Sequence, residues 1–243
     1  MESRIADSCE GAVESVTWSS RFAYAVGLLA TDGFLTTGNT VGFSSTDLEL
    51  VQNLFLCLDK PVSYVTLTPE QQAGNPKLGI MPKSDLHMVR ITDARLYKQL
   101  LALGVTTRKS LTLGALGVPD EFLFDLVRGL VDGDGSVMAL MTAPKGLKNP
   151  YRLTRLRLAF YSGSRSHLEW LRARLGYFSL RGSIHAATRD GHTLYHLIYS
   201  DRQAATILTT AYEDPRAPRL KRKWQIWEEL RQQRGWPPYY ASV

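Results

Sequence analysis

The chain has 243 residues, 44% of them hydrophobic and 21% charged, a composition that suits a globular protein with a buried core and argues against wholesale disorder. Its two cysteines form no CxxC pair, which argues against a disulfide framework and a structural zinc site. The net charge of +6 favours a polyanionic partner, nucleic acid first, although many basic proteins bind no nucleic acid.

The N-terminal residues are polar and acidic and lack the apolar stretch of a signal peptide. No apolar run approaches the roughly 20 residues that are needed to span a bilayer. We therefore expect no signal peptide, no membrane partner and an intracellular location, in the cytoplasm or with the nucleoid.

Two segments of the chain, residues 22–34 and 124–136, resemble each other. A single constant offset superposes Gly27 on Gly129, Asp32 on Asp134, and Gly33 on Gly135. The sequence after each segment has the same order of strand and helix signals, so we interpret the chain as an internal repeat.

The elements of the first half follow from apolar periodicity and turn residues. They are a helix at 21–32, a hairpin at 34–45, a helix at 48–58, strands at 62–68 and 85–91, and a helix at 93–103.

The second half has the same predicted order. Its elements are a helix at 121–132, strands at 136–142 and 152–161, a helix at 164–175, strands at 179–187 and 193–199, and a helix at 201–212. A basic helix is predicted at 220–233. We predict an α+β fold of two pseudo-symmetric αββαββα repeats, 18–104 and 119–233, joined by a linker at 105–118, each with an antiparallel sheet.

The helix predicted at 21–32 is apolar on all sides, which is typical of a helix that is buried all round. Ala25, Gly27 and Gly129 carry almost no side chain, so the two repeated helices can approach closely. Such a central pair would place Asp32 and Asp134 side by side at the helix C-termini.

Two adjacent carboxylates repel each other, and the helix C-termini add partial negative charge. A divalent cation relieves this repulsion, and Mg²⁺ prefers oxygen ligands. A metal held in this way can activate water and stabilise the leaving oxygen in phosphodiester hydrolysis. A single Asp-Gly would merely end a helix, but two matching copies favour a functional site. An EF-hand is excluded, because Val137 and Ala143 stand where its loop needs Gly and Glu.

Residues 127–135, VRGLVDGDG, resemble the LAGLIDADG motif of homing endonucleases at nearly every position. Residues 25–33, AVGLLATDG, match it more loosely, with Ala30 where the family often has an acidic residue and the second copy has Asp132. In this family the metal-binding carboxylate precedes the last glycine, which corresponds to Asp32 and Asp134.

The resemblance implies a single-chain, monomeric enzyme that cuts both strands of a long, non-palindromic DNA duplex. Its cofactor would be Mg²⁺, with Mn²⁺ able to substitute and Ca²⁺ supporting binding without cleavage. The sheets would form a saddle in the major groove, and the carboxylates would meet the scissile phosphates across the minor groove.

The family also places a basic residue near the reacting water, after the last helix of each repeat. The matching segments are 107–110 and 220–223, in which we favour Lys109 and Lys223. Arg108, Lys221 and Arg222 are close rivals, and solvated surface lysines are the alternative interpretation.

The predicted strands carry the candidate DNA contacts. Arg152, Arg155 and Arg157 roughly alternate with leucines, which places the charges on one face of a strand. The candidates are Thr36, Asn39, Lys77, Lys83, His87 and Arg90 in the first repeat, and Lys145, Lys148, Arg152, Arg155, Arg157, Arg181, Ser183, His185 and Arg189 in the second. Any one of them is more often a phosphate or solvent contact than a base contact.

Two alternatives remain open on the same fold. One is an RNA maturase that assists intron splicing, and the other is a DNA-binding regulator without catalysis. Neither role needs both Asp32 and Asp134, so their joint presence favours the nuclease.

Overall fold

A computed structural model describes residues 16–73, 83–107, 109–142 and 153–236. The first half contains α1 (Ser20–Thr31), β1 (Gly33–Thr36), β2 (Thr40–Ser45), α2 (Leu48–Leu58), β3 (Val65–Leu67), α3 (Pro69–Ala73), β4 (Leu86–Thr92) and α4 (Ala94–Ala102). The connecting segment contains α5 (Lys109–Thr112). The second half contains a 3₁₀ helix (Asp120–Phe122), α6 (Leu123–Asp132), β5 (Ser136–Thr142), β6 (Leu153–Ser162), α7 (Arg165–Gly176), β7 (Ser183–Arg189), β8 (His192–Ser200), α8 (Arg202–Ala211) and α9 (Lys221–Arg234).

The strands of the described residues form two four-stranded antiparallel sheets with matching topology. Their strand orders are β1-β2-β4-β3 and β5-β6-β8-β7. In both sheets the second and fourth strands of the repeat pair at the centre. The predicted α+β class with two pseudo-symmetric repeats is confirmed.

The motif helices α1 and α6 pack against each other at two glycines. A Cβ atom on Gly27 would lie 2.4 Å from the carbonyl oxygen of Leu126, and one on Gly129 would lie 2.3 Å from that of Tyr24. Since no real Cβ atom tolerates such distances, only glycine permits this backbone contact. The predicted central pair of helices is confirmed.

Each sheet turns one face to the core and leaves the other open. The inward residues are Leu35, Val41, Phe43, Val89 and Ile91 in the first sheet, and Val137, Leu156, Leu158, Leu197 and Tyr199 in the second. All of these are buried, and they alternate along their strands with residues of the open face.

Several local boundaries differ from the sequence-based expectation. The strand predicted at 179–187 begins only at Ser183, because Ser179 has a φ of 60° and Leu180 turns into the core. The strand predicted at 62–68 is limited to Val65–Leu67, and Pro69 starts the unpredicted α3, where its fixed φ suits the first turn. The sequence also gave no indication of α5.

The last described helix, α9, belongs to the second repeat, and the segment at its start contacts α2 of the first repeat. Its Trp227 is buried and stacks on Trp236 at a ring-centroid distance of 5.9 Å. Just before α9, the carbonyl of Arg219 accepts a hydrogen bond from Asn53 Nδ2 of α2 at 2.9 Å. Among the described residues, no helix is long and apolar enough to cross a membrane.

Replacing Gly129 with alanine should lower the free energy of unfolding by about 1–3 kcal/mol or more, because the added methyl group overpacks the helix crossing. Gly176→Ala is the matched control, since a Cβ at this helical glycine meets nothing within 4 Å. Urea denaturation of both variants measures the difference. Equal midpoints for the two would contradict the close helix contact.

Candidate catalytic centre and open sheet faces

Asp32 and Asp134 lie at the C-terminal ends of the two crossed helices. Asp32 is the C-cap of α1, and Asp134 lies in the turn that follows α6. Because α1 and α6 cross side by side, their ends place the two carboxylates close enough for the charge of Asp134 to act on Asp32. Among the described residues, neither carboxylate has a hydrogen-bond or ion-pair partner, so their oxygens remain available as ligands.

Burial raises the pKa of both carboxyl groups, and the charge of Asp134 adds to the shift at Asp32. The pKa of Asp32 is raised to about 6, first by burial and then by the charge of Asp134, while Lys109 and Lys223 oppose the shift. The pKa of Asp134 is also raised by burial, although its side chain keeps solvent access, and the same two lysines oppose the shift. The pair therefore favours an added positive charge.

Lys109 and Lys223 cap the C-termini of the two motif helices from inside the protein. The two residues are only 7% and 5% exposed. Lys109 Nζ donates to the carbonyl of Ala30 at 2.9 Å and to that of Thr31. The orphan carbonyls and negative dipole end of a helix attract an ammonium group, which explains why α1 binds one here.

Lys223 makes the equivalent contacts with α6. Its Nζ donates to the carbonyls of Val131 at 2.9 Å, Asp132 at 2.8 Å and Gly133 at 2.6 Å. Burial lowers the pKa of Lys223 to about 8, and burial also lowers that of Lys109. Both favoured lysines thus lie beside the carboxylates.

The rival basic residues of the second segment, Lys221 and Arg222, pair with carboxylates of the first repeat. Arg222 forms an ion pair with Asp47 at 2.7 Å, and Lys221 Nζ lies 3.8 Å from Glu49 of α2. Both side chains are therefore held by carboxylates at the start of α2, and the charge of one of these, Asp47, also contributes to the raised pKa of Asp32. Arg108 lies outside the described residues.

Asp132, the additional acidic residue of the second motif copy, is fully buried and not a free ligand. It accepts hydrogen bonds from Tyr24 Oη at 2.9 Å, Tyr212 Oη at 2.5 Å and the backbone N–H of Leu220 at 2.8 Å. Burial raises its pKa, and these three donors oppose the shift. Asp132 therefore ties the end of α6 to the start of α9.

A cleft beside the carboxylates contains a histidine that belongs to no sequence motif. Its lining includes Thr31, Lys109, Asp134, Ser162 and His167. His167 is 4% exposed, and its Nδ1 lies 2.9 Å from the carbonyl oxygen of Gly114. Burial lowers the pKa of His167 to about 4, so it is neutral near pH 7. No sequence signal marked it, since it is one histidine in an ordinary amphipathic helix.

The open face of the second sheet collects most of the described candidates from that repeat. The strand register places Arg155, Arg157, Ser183, His185 and Arg189 on one face. All five are exposed, although Arg155 forms an ion pair with Asp201. Arg181 is exposed just before β7.

The candidate DNA contacts of the first repeat do not all lie on one face of its sheet. Thr36 and Arg90 share the open face, Asn39 lies in the β1–β2 turn with a φ of 57°, and Lys83 is exposed before β4. His87 lies on the core-side face, where its Nδ1 is 2.9 Å from Thr66 Oγ1. The candidates Lys77, Lys145, Lys148 and Arg152 lie outside the described residues.

No protein-family model and no curated protein matches the chain. Among solved structures, the LAGLIDADG homing endonuclease I-LtrWI bound to target DNA has a TM-score of 0.53 at 10% identity, covering 88% of this chain and 89% of that one. The meganuclease I-SmaMI bound to uncleavable DNA has a TM-score of 0.52 at 13% identity, covering 88% and 91%. The fold is that of the LAGLIDADG meganucleases. At these identities the likeness establishes the fold alone.

In metal-free solution, Asp32→Asn should raise the free energy of unfolding at about pH 7.5 by about 1–3 kcal/mol. The pKa of Asp32 in the folded protein, about 6, exceeds the ordinary value of 3.8, so ionisation of this group destabilises the fold as the pH rises between these values. The gain should shrink towards about pH 4.

Urea denaturation in EDTA at several pH values measures this gain. Glu229→Gln, which removes an exposed carboxylate of α9, is the control and should change stability little. A pH-independent effect of Asp32→Asn would contradict the shifted pKa.

Proposed function

We propose that the protein is a Mg²⁺-dependent, site-specific DNA endonuclease that acts as a monomer and cuts both strands of a long, non-palindromic duplex. The observation that carries the proposal is the pair of unpartnered carboxylates, Asp32 and Asp134, at the ends of two crossed helices and between two buried lysines. The DNA-bound neighbours I-LtrWI and I-SmaMI support DNA as the partner.

The donor set fits a hydrated hard cation. Among the described residues there is no cluster of three or more His, Cys, Asp or Glu side chains that would enclose a metal ion. Asp32 and Asp134 would therefore share their metal with water and phosphate oxygens, which is the coordination that Mg²⁺ prefers. We expect Mn²⁺ to substitute and Ca²⁺ to support DNA binding without cleavage.

Bound Mg²⁺ would supply charge neutralisation at the scissile phosphate and a more acidic water. Asp32 and Asp134 would hold it, and the two lysines would keep positive charge beside the phosphate while capping the helix ends.

The open sheet faces would contact the DNA. Arg157, Ser183, His185 and Arg189 would act from the second sheet, with Arg155 partly engaged by Asp201. Thr36, Asn39, Lys83 and Arg90 would act from the first repeat, and Arg181 from the approach to β7. His87 is omitted because it lies on the core-side face. Lys77, Lys145, Lys148 and Arg152 remain sequence-based candidates.

An RNA maturase or an inactive DNA-binding regulator would not need Asp32 and Asp134 to remain free of protein partners. Incubating the protein with a plasmid library that carries randomised duplex inserts, with and without Mg²⁺, tests the nuclease. Linear product that forms only with Mg²⁺ supports the proposal, and sequencing of the cut ends identifies the target. DNA binding without any linear product would favour the regulator.

Asp32→Asn and Asp134→Asn should each abolish double-strand cleavage of the recovered target, because asparagine keeps the volume but loses the metal-binding charge. Binding of the target in Ca²⁺ should survive, since the sheets make the DNA contacts. Gel-based cleavage and binding assays measure both properties. Wild-type cleavage by either variant would show that the carboxylate is not required.

The two DNA half-sites should differ in sequence. In the first repeat, β1, β2 and the turn between them contain no charged residue. In the second repeat, the single strand β6 has two arginines, Arg155 and Arg157, on its open face. Because arginine favours guanine, the half-site of the second repeat should be richer in guanine and more tightly bound.

Two palindromes, each made by doubling one half of the recovered target, test this asymmetry. Both should be cut less well than the composite site, and the palindrome of the second repeat's half should bind better. Equal cleavage of all three duplexes would mean that the two repeats read DNA alike.

A further inference from the structure

The two lysine-bearing segments are each held by a helix N-terminus from the opposite half. Lys109 caps α1 of the first repeat, but its segment binds α7 of the second repeat. The hydroxyls of Ser164 and Ser166 both donate to the carbonyl of Leu113, at 2.5 and 3.1 Å. Lys109 is therefore anchored by neutral hydrogen bonds from α7.

The segment of Lys223 is held in a different way. Lys223 caps α6 of the second repeat, but its neighbour Arg222 binds Asp47 of the first repeat through two nitrogens, with Nη2 at 2.7 Å from Oδ2 and Nε at 3.1 Å from Oδ1. The backbone N–H of Lys221 donates to Glu49 Oε2 at 3.0 Å. Carboxylates at the start of α2 thus anchor the start of α9.

Asp47 and Ser164 occupy equivalent positions in the two repeats. They are the N-cap residues of α2 and α7, and neither side chain makes a capping hydrogen bond to its own helix. An Asp or Ser at this position ordinarily accepts a hydrogen bond from the first turn. Here both side chains are directed instead to the segment that carries a lysine.

We propose that Asp47 is a positioning residue for Lys223, and that Ser164 and Ser166 are positioning residues for Lys109. Each lysine would then support cleavage of one DNA strand, and its positioning residues would affect that strand only. The inference rests on the proposed nuclease function. Asp47 acts through Arg222 and the first turn of α9, since the amides of Lys223 and Trp224 both donate to the carbonyl of Leu220 in that turn.

The two supports differ in physical character. The Asp47–Arg222 ion pair is partly exposed, with side-chain exposures of 26% and 58%, so salt weakens it. The hydroxyl–carbonyl contact of Ser164 is neutral and buried, so salt affects it little. When all of the DNA is bound, raising the salt concentration should therefore slow cleavage of the strand that depends on Lys223 more than cleavage of the other strand.

The test uses the target recovered from the randomised library, with a different fluorophore on each strand, under single-turnover conditions. Lys223→Met and Lys109→Met first identify the strand that depends on each lysine, with losses of about 10- to 1,000-fold. Asp47→Asn should slow the Lys223-dependent strand by about 10- to 100-fold and leave the other unchanged. Asp47→Glu, which keeps the charge, should retain most of the rate.

The double variant Ser164→Ala/Ser166→Ala is the matched control and should slow the Lys109-dependent strand instead. Equal slowing of both strands by Asp47→Asn would overturn the inference while leaving the nuclease proposal intact. Weaker target binding in Ca²⁺ with an unchanged ratio of strand rates would also overturn it, because Arg222 would then serve as a phosphate anchor.

Hydrogen exchange of the DNA-free protein provides a readout that does not depend on cleavage. In Asp47→Asn the amides of Lys223 and Trp224 should exchange faster, while the amide of Leu113, which donates to the carbonyl of Lys109, should not change. Unchanged exchange at the start of α9 would overturn the positioning role even if the protein cut no DNA.

Discussion

The contact between Gly27 and Gly129 is the constraint on which the rest of the centre depends. Because no side chain separates the backbones, α1 and α6 end next to each other, and two negative helix ends meet two carboxylates. Buried ammonium groups from Lys109 and Lys223 offset part of this charge without neutralising Asp32 and Asp134 by direct pairing. The remaining negative charge is what makes the centre suitable for a cation.

The two motif copies differ at the position two residues before the proposed metal-binding aspartate. Ala30 in the first copy packs in the core, whereas Asp132 in the second is a buried carboxylate with three hydrogen-bond donors. A buried carboxyl group is tolerated only when such hydrogen-bond partners compensate for its lost hydration. Asp132 thereby joins α6 to the start of α9, a connection that Ala30 cannot make for α1. The internal symmetry of the sequence is therefore only approximate at the centre.

The open faces of the sheets show a similar divergence. Both sheets have the same strand order, so their open faces are equivalent in geometry. The first face carries Arg90 among apolar and hydroxyl side chains, whereas the second carries Arg155, Arg157 and Arg189. A single chain can keep one scaffold for both halves while each half changes its surface residues independently.

The sequence by itself determined the repeat, the buried helices, the paired aspartates and the alternation of most strands, because these depend on local spacing and side-chain size. Tertiary structure decided the rest. The pairing of β4 with β2 and β3 turned His87 to the core-side face, and the packing of α9 on both repeats selected Lys223 over Arg222 for the centre. Such choices depend on contacts between residues far apart in the chain, which no local pattern encodes.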